Sequence, residues 1–386
     1  MIKKRIDLTN YCIRTQIAIV LTKGRELGKK MPCSVKKLLS VLLFFQAVVA
    51  TAQNDSLKKW TFSGYGELYY SHDFANPENH EKENFIYNHK RHNELNANLI
   101  VAKASYSEKE IRANLGLMVG NYAQYNLSAE PTWGQFIYEA NIGVKLAKKH
   151  NLWLDAGILP SHIGFESAIS ADCWTLTRSI LAENSPYYET GIRLSYSNAK
   201  ENLTLAFLVL NGWQRIQKPN FIQSPSFGLQ INYKPTAALV LNYSNFIGTD
   251  KPAQYNALRT FHNLYLQYEA TSKIGAIVGF DLGSDKYNAT DYGLWYSPVL
   301  IVRYALNDKT KIALRGEYYQ DKNQIIIATN TPNGFQTSGI STNLDYKLND
   351  KVQFRMEGKM YLSKEAIFVD GTARNYAITT NMTLRL

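Results

Sequence analysis

The chain has 386 residues, 45% of them hydrophobic and 12% aromatic, with 26 Tyr, 16 Phe and 6 Trp and only 19% charged. Low charge with this many aromatics excludes a disordered chain; no apolar run reaches the ~18 residues of a spanning helix, which excludes a helical membrane protein but not a β-barrel, whose alternating strands escape hydropathy windows. The net charge of +11 is concentrated at the N-terminus, where residues 1–52 hold ten Lys or Arg against two acids, a net +8; the remaining 33 bases against 30 acids leave +3, so the basic excess belongs to a leader and makes no nucleic-acid face.

That leader reads as secretory. Lys36 and Lys37 precede Leu38–Ala50, a 13-residue run broken only by Ser40 and Gln46, and Ala50-Thr51-Ala52 supplies small residues for a signal peptidase ahead of Gln53. Residues 1–52 are therefore expected to be an N-terminal extension with a cleaved signal peptide, with Met31 as an alternative start to Met1. Residues 53–59 read as a short periplasmic linker. Cys33 precedes the apolar run, which argues against a lipoprotein anchor, and Cys173 is the one cysteine after residue 52, so no internal disulfide forms and a quiet buried thiol is expected.

From residue 60 onward the sequence has period two. Phe136, Tyr138, Ile142, Val144 and Leu146 alternate with Gln135, Glu139, Asn141 and Lys145; Leu229, Ile231 and Tyr233 with Gln230, Asn232 and Lys234; Ile312, Leu314 and Tyr318 with Lys311, Arg315 and Glu317. Further on, Val352, Phe354, Met356, Met360 and Leu362 alternate with Lys351, Gln353, Arg355, Glu357 and Lys359, and Tyr376, Ile378, Thr380, Met382, Leu384 and Leu386 with Asn375, Thr379, Asn381, Thr383 and Arg385. Charge at every second position is too polar for a sandwich core and suits a water-filled lumen.

Sixteen such segments start near residues 60, 92, 109, 133, 150, 187, 201, 225, 236, 259, 272, 290, 310, 334, 350 and 374. Seven tight polar turns alternate strictly with eight longer loops. Short turns on one rim and long loops on the other predict an all-β, transmembrane antiparallel barrel over residues 60–386, of about 16 strands with 14 to 18 allowed, both termini periplasmic. Closure leaves no sheet edge in lipid. Trp60, Tyr70, Trp133, Tyr138, Tyr196, Tyr233, Tyr268, Tyr318 and Tyr376 are expected to form the interfacial girdles.

Two stretches fit this frame poorly. Lys103 falls at lipid-facing parity between Val101 and Ser105, which implies a bulge or a snorkelling ammonium. Trp295, Val299 and Ile301 lie at lumen parity and make their strand apolar on both sides, with Pro298 unable to donate to a ladder.

The loops are where function is expected. The longest, about 160–186, holds His162, Glu166, Asp172, Arg178 and Glu183 as pore-constriction candidates, together with Trp174 and apolar Ile163, Phe165 and Ile180 that could anchor it inside the barrel. An in-folded constriction, its acids facing Arg193, Arg315 or Arg355 across water, is one expectation; an outward lid or Ω-loop is the other. Lumen-parity charges are Glu67, Glu94, Glu139, Asp155, Glu189, Glu317 and Glu357 against Arg112, Lys145, Arg193, Arg303, Arg315, Arg355, Lys359 and Arg385, implying at most a mild anion preference, or else wall-to-wall ion pairs that stiffen the barrel. His72, His80, His89 and His92 crowd the first long loop, but their spacings match no closed zinc pattern, nor does the spacing His162 to Glu166 establish a site; a solvated surface loop without metal is expected.

Four stretches, Gly64-Tyr65-Gly66-Glu67-Leu68-Tyr69-Tyr70, Asn88 to Asn96 (NHKRHNELN), Trp153 to Glu166 (WLDAGILPSHIGFE) and Ser185 to Gly191 (SPYYETG), resemble the β-barrel porin-2 group, also called OmpL-like. The resemblance implies an outer-membrane porin for small hydrophilic solutes or ions and carries over no catalytic residue or cofactor. Outer-membrane lipid, small hydrophilic solutes and the barrel assembly machinery are the partners that follow, with a homotrimer as the analogue of other sixteen-strand porins and no nucleic acid. A closed barrel that binds surfaces or adheres through its extracellular loops is the alternative. An outer-membrane phospholipase needs Ser and His on the lipid face, and His262 has no Ser beside it; a TonB-dependent transporter needs a plug domain, and about seven residues separate Ala52 from the first strand.

Overall fold

The computed structural model describes residues 59–386; the expectations for the leader and for most of the linker lie outside the described residues. Alternation carried over 8 to 14 residues per segment builds sixteen antiparallel strands. They are β1 (Trp60–Asp73), β2 (Leu95–Ser107), β3 (Ile111–Val119), β4 (Ile137–Lys145), β5 (Asn151–Pro160), β6 (Tyr188–Ser197), β7 (Leu203–Leu210) and β8 (Ser226–Thr236). They continue with β9 (Leu239–Gly248), β10 (Arg259–Glu269), β11 (Ile274–Lys286), β12 (Tyr292–Ala305), β13 (Thr310–Asp321), β14 (Phe335–Lys347), β15 (Val352–Ser363) and β16 (Arg374–Arg385).

Each strand pairs with its sequence neighbours, and β1 pairs with β16 from Tyr65 opposite Arg385 to Asp73 opposite Ala377, so the sheet closes into a barrel. Closure leaves no free sheet edge, as a bilayer requires. Outward positions such as Val278, Leu300, Leu314, Ile340 and Ile378 are exposed and apolar, while inward Glu67, Asp155, Arg315, Arg355 and Glu357 are buried. Trp60, Tyr70, Trp133, Tyr233, Tyr268 and Tyr376 are exposed aromatics. Odd-to-even connections are longer than even-to-odd ones except between β11 and β12, where residues 287–291 make a turn as short as those after β4 and β6.

Two bulges correct the parity assigned from sequence. In β2, Leu99 pairs with Glu67 and Ala97 with Leu68, so Asn98 is an extra residue. On the far side of that shift Val101 is buried and Lys103 points inward, its Nζ 2.5 Å from Glu139. In β4, Tyr138 is the extra residue between Ile137, opposite Leu117, and Glu139, opposite Gly116. Tyr138 is therefore turned into the lumen instead of joining the girdle, and packs over Gly116, where a Cβ would lie 3.2 Å from its ring.

Pro298 interrupts the β12–β13 ladder between Tyr296 and Val299 without changing register. The Tyr318 carbonyl opposite, which Pro298 cannot serve, accepts from the Ser297 hydroxyl at 2.7 Å. Trp295, Val299 and Ile301 do face inward and are buried. What they meet there is the long connection between β5 and β6.

Candidate functional site

Residues 161–187 leave the wall at the Ser161 N–H to Tyr187 carbonyl bond and run through the interior of the barrel. His162 is the first anchor: Nδ1 lies 2.8 Å from Glu189 of β6 and Nε2 2.7 Å from the Asn245 carbonyl of β9. Burial acts to lower its pKa, but the Glu189 carboxylate and the two acceptors outweigh this and raise it above the ordinary histidine value. The Gly164 N–H then donates to Asn263 of β10 at 3.2 Å.

The opposite wall holds the rest of the segment. The Ser170 hydroxyl donates to Glu67 of β1 at 2.7 Å, and Arg355 of β15 donates to the carbonyls of Ser170 at 2.6 Å and Cys173 at 3.1 Å. The N–H groups of Leu176, Thr177 and Ile180 donate to Asn343, Glu357 and Glu317. Arg315 donates to Thr175 and Thr177, and Lys359 to the Arg178 carbonyl at 2.9 Å. One helical turn, α1 (Ile180–Glu183), follows, capped by the Ser179 hydroxyl. Its Leu181 and Ala182 pack with Trp174 against Ile277, Val299, Ile301 and Ala313. The apolar inner face of β12 is thus the seat of the segment, and each such side chain, once buried, is worth roughly 1.5–3 kcal/mol.

The constriction candidates play different parts. Glu166 accepts from the Ser179 N–H and, very closely, its hydroxyl, with Arg315 Nη1 at 3.6 Å; burial raises its pKa against the pull of Arg315. Arg178 is fully buried and donates to the carbonyls of Ser167, Ala168 and Leu176, so its charge knots the segment internally. Glu183 accepts from the N–H groups of Tyr87 and Asn88, joining the segment to the first loop. Asp172 is half exposed and pairs with Arg385 at 2.6 Å. Cys173 is buried, which pushes its thiol pKa up and keeps it protonated.

The first long loop, 74–94, is not a solvated surface loop. His89 is fully buried with Nε2 2.7 Å from Glu67, and His92, Lys82 and Lys90 are buried as well. The physical reason is Glu67, a fully buried wall carboxylate that needs donors and receives them from His89, Asn98, Ser170 and Asn381. Burial pushes Lys82 down to about 8 and Glu83 up to about 7. Phe85 and Ile86 of this loop join Phe246, Phe261, Trp295 and Phe335 in an apolar cluster. Among the described residues no group of three or more His, Cys, Asp and Glu is placed to hold a metal ion.

The wall charges are mostly paired with one another. Arg112 forms a two-point contact with Asp155 at 2.6 Å, and Arg193 approaches the same carboxylate at 3.4 Å. Glu139 takes Lys103; Arg303 takes Glu269 at 2.7 Å and lies 4.0 Å over the Trp174 ring. Arg315 binds Glu357 at 2.7 Å, Lys359 binds Glu317 at 3.0 Å, and Arg355 binds Asp345 at 2.6 Å. Lys145 shares the inward parity of Gly143 at the short-turn end of β4. Glu94 is the exception: it precedes β2 and pairs with Arg91 in its own loop at 2.9 Å. A field set up across open water does not match this geometry, because Arg193 and Arg355 spend their guanidiniums on Asp155, Asp345 and backbone carbonyls. Asp345 and Glu269 were not singled out from sequence, although Asp345 shares the inward parity of Ser341 and Asn343 along β14.

Besides a small space of about 20 Å³ at Thr177, Arg178 and Glu183, two larger ones border the segment. One of about 200 Å³ lies between residues 160–168 and the walls at Tyr138 and Tyr265. The other, about 420 Å³, lies at the short-turn rim, where Arg303, Lys309, Lys311, Lys347, Lys351 and Arg385 outnumber Asp172, Asp308, Asp345 and Asp350. On the outer wall His262 stacks beside Tyr243, whose hydroxyl is 2.8 Å from Nδ1, and no serine accompanies it in register.

No curated protein matches the sequence. The fold is similar to an anion-selective porin from Comamonas acidovorans (9% identity, TM-score 0.57, covering 85% of this chain and 99% of that one). It is similar also to the outer membrane channel DcaP of Acinetobacter baumannii (8%, 0.58, 85% and 97%) and to Salmonella typhi OmpF in complex with daunomycin (10%, 0.58, 85% and 97%). Likeness at such identities speaks for the sixteen-strand closed barrel. Residues 59–386 match the family described as Putative beta-barrel porin-2, OmpL-like, and the chain belongs to that family of outer-membrane porins.

Proposed function

We propose that this porin is a narrow passive pore for small hydrophilic solutes or ions, with the 160–186 segment as its constriction and a mild preference for anions. The observation that carries this is the two-sided anchoring of the segment, on β6, β9 and β10 through His162 and Gly164 and on β1 and β13–β15 through Ser170 to Ile180. A strap tied at both walls narrows a lumen by a fixed amount, and His162, Glu166, Asp172, Arg178 and Glu183 hold it in place more than they line it. The cationic excess in the 420 Å³ vestibule supports the anion preference. That preference is mild because Arg303, Lys347 and Arg385 already have acid partners and salt screens the remainder within about 8 Å. No catalytic step is involved. Both termini are assigned to the periplasmic side with the short turns, and a homotrimer is the assembly to test.

A barrel closed by its own loops, acting at the cell surface, is the second candidate, and the apolar cluster of Phe85, Ile86 and Trp295 inside the wall is what favours it. Conductance of refolded residues 53–386 in a planar bilayer, with reversal potential across a salt gradient, separates the two. Stable steps with an anion-directed reversal support the pore, and larger steps are expected after shortening the loop between Gly164 and Glu183. Unchanged conductance in that variant would place the constriction elsewhere, and silence from a folded barrel would favour the closed form.

A further inference from the structure

The 200 Å³ space beside the strap is built unlike the rest of the lumen. Its walls are aromatic: Tyr122, Tyr138, Phe165, Tyr187 and Tyr265 all line it, with Phe165 edge-on to Tyr265 at 5.6 Å and Tyr122 edge-on to Tyr187 at 5.7 Å. The hydroxyls of Tyr122, Tyr138 and Tyr265 have no hydrogen-bond partner among the described residues. These phenols line the space, so their hydroxyls are free to bond water or a polar solute that enters it. Tyr138 is there only because the β4 bulge turns it inward over Gly116.

The space offers no net charge. Its one ionisable carboxylate, Glu166, is held by Ser179 and stands 3.6 Å from Arg315. Aromatic faces favour flat apolar surface, phenol and serine hydroxyls favour hydroxyl groups, and the absence of a free charge disfavours ions. At about 200 Å³ the space is far larger than the 10–15 Å³ needed for one water and suits a single small ring.

From this geometry we propose a solute subsite for a neutral, monosaccharide-sized polyol, its C–H face on Tyr138, Phe165 or Tyr265 and its hydroxyls on the three unpartnered phenols. The inference rests on the open-pore reading above. The test uses refolded residues 53–386 in a planar bilayer with D-glucose as probe. Glucose is expected to reduce the ion current in a saturable manner beyond the effect of solution viscosity. Tyr138→Phe keeps the ring and the packing, and is expected to raise the half-blocking concentration about fivefold, the loss of one hydrogen bond; Tyr265→Ala is expected to abolish the saturable block. A wild-type current that follows viscosity alone, or a block that both variants leave unchanged, would overturn the subsite while leaving the pore intact. A folded barrel with no ion current at all would overturn the pore, and the subsite with it.

Discussion

Raising the pH should loosen the His162 end of the strap. The imidazole is buried between two acceptors, the Glu189 carboxylate at 2.8 Å and the Asn245 carbonyl at 2.7 Å. A neutral ring has one N–H and can serve only one of them, whereas the imidazolium serves both. Arg193 on the same strand as Glu189 opposes the charge, Ser244 and Gln230 donate to the His162 backbone carbonyl, and the net effect is a raised pKa. The stabilisation is therefore complete below the ordinary value of 6.5 and is lost as pH rises through the higher folded-state value. The bond at stake is charge-assisted, about 1.5–3 kcal/mol, which changes the balance between held and released forms of residues 161–165 by about 10- to 150-fold. Open-channel current noise, recorded from about pH 6 to pH 9, is expected to rise with pH in the wild type and to stay flat in His162→Gln, which has no titrating ring. A flat wild-type profile, or an equal slope in the variant, would refute the imidazolium assignment.

Two further expectations test the wall. Ile378→Arg, on the lipid face of β16, should cost about 2–4 kcal/mol near the midplane, while Gln353→Arg, partly buried on the inner face of neighbouring β15 beside the rim space, should cost little; equal losses in refolding titrations would contradict the parity. Arg315→Met leaves Glu166, Glu317 and Glu357 buried without their shared cation and should destabilise the folded protein by about 3–5 kcal/mol. The added change Glu357→Gln should recover part of that loss, and a double variant no better than the single would argue against the pairing.

The barrel was legible because its physics is periodic. A face that meets acyl chains and a face that meets polar groups leave an alternation that Ile378, Met382 and Leu384 show as clearly as Thr379, Asn381 and Thr383. Even the misfit in β12 was informative: Val299 and Ile301 are apolar on the inner face because Trp174 and Leu181 of the strap rest on them. The misfit of Lys103 left a bulge and a snorkelling ammonium open, and the bulge is what the structure has; what could not be read was where an extra residue falls, or anything that depends on a distant partner. The bulges at Asn98 and Tyr138 have no composition of their own, yet they decide the faces of Lys103 and Tyr138. His89, Lys82 and Lys90 read as solvated because their loop is polar, and only the position of Glu67 explains why they are drawn inside.

Ser170 sits where the strap reaches the junction of the first and last strands. Its hydroxyl bonds Glu67 on β1 and lies 3.2 Å from the Asn381 amide on β16, while Asn381 also donates to Glu67. The strap's dock at this point is composed of residues more than 300 positions apart, and it does not exist until the two ends of the chain have met. Order of assembly follows from that geometry. The Ser170 contact is complete only after β16 has paired with β1, and once formed it links the two closing strands from the inside. A chain delayed in pairing its last strand therefore lacks the complete Ser170 dock, while the segment's partners on β6, β9 and β10 are already in the wall.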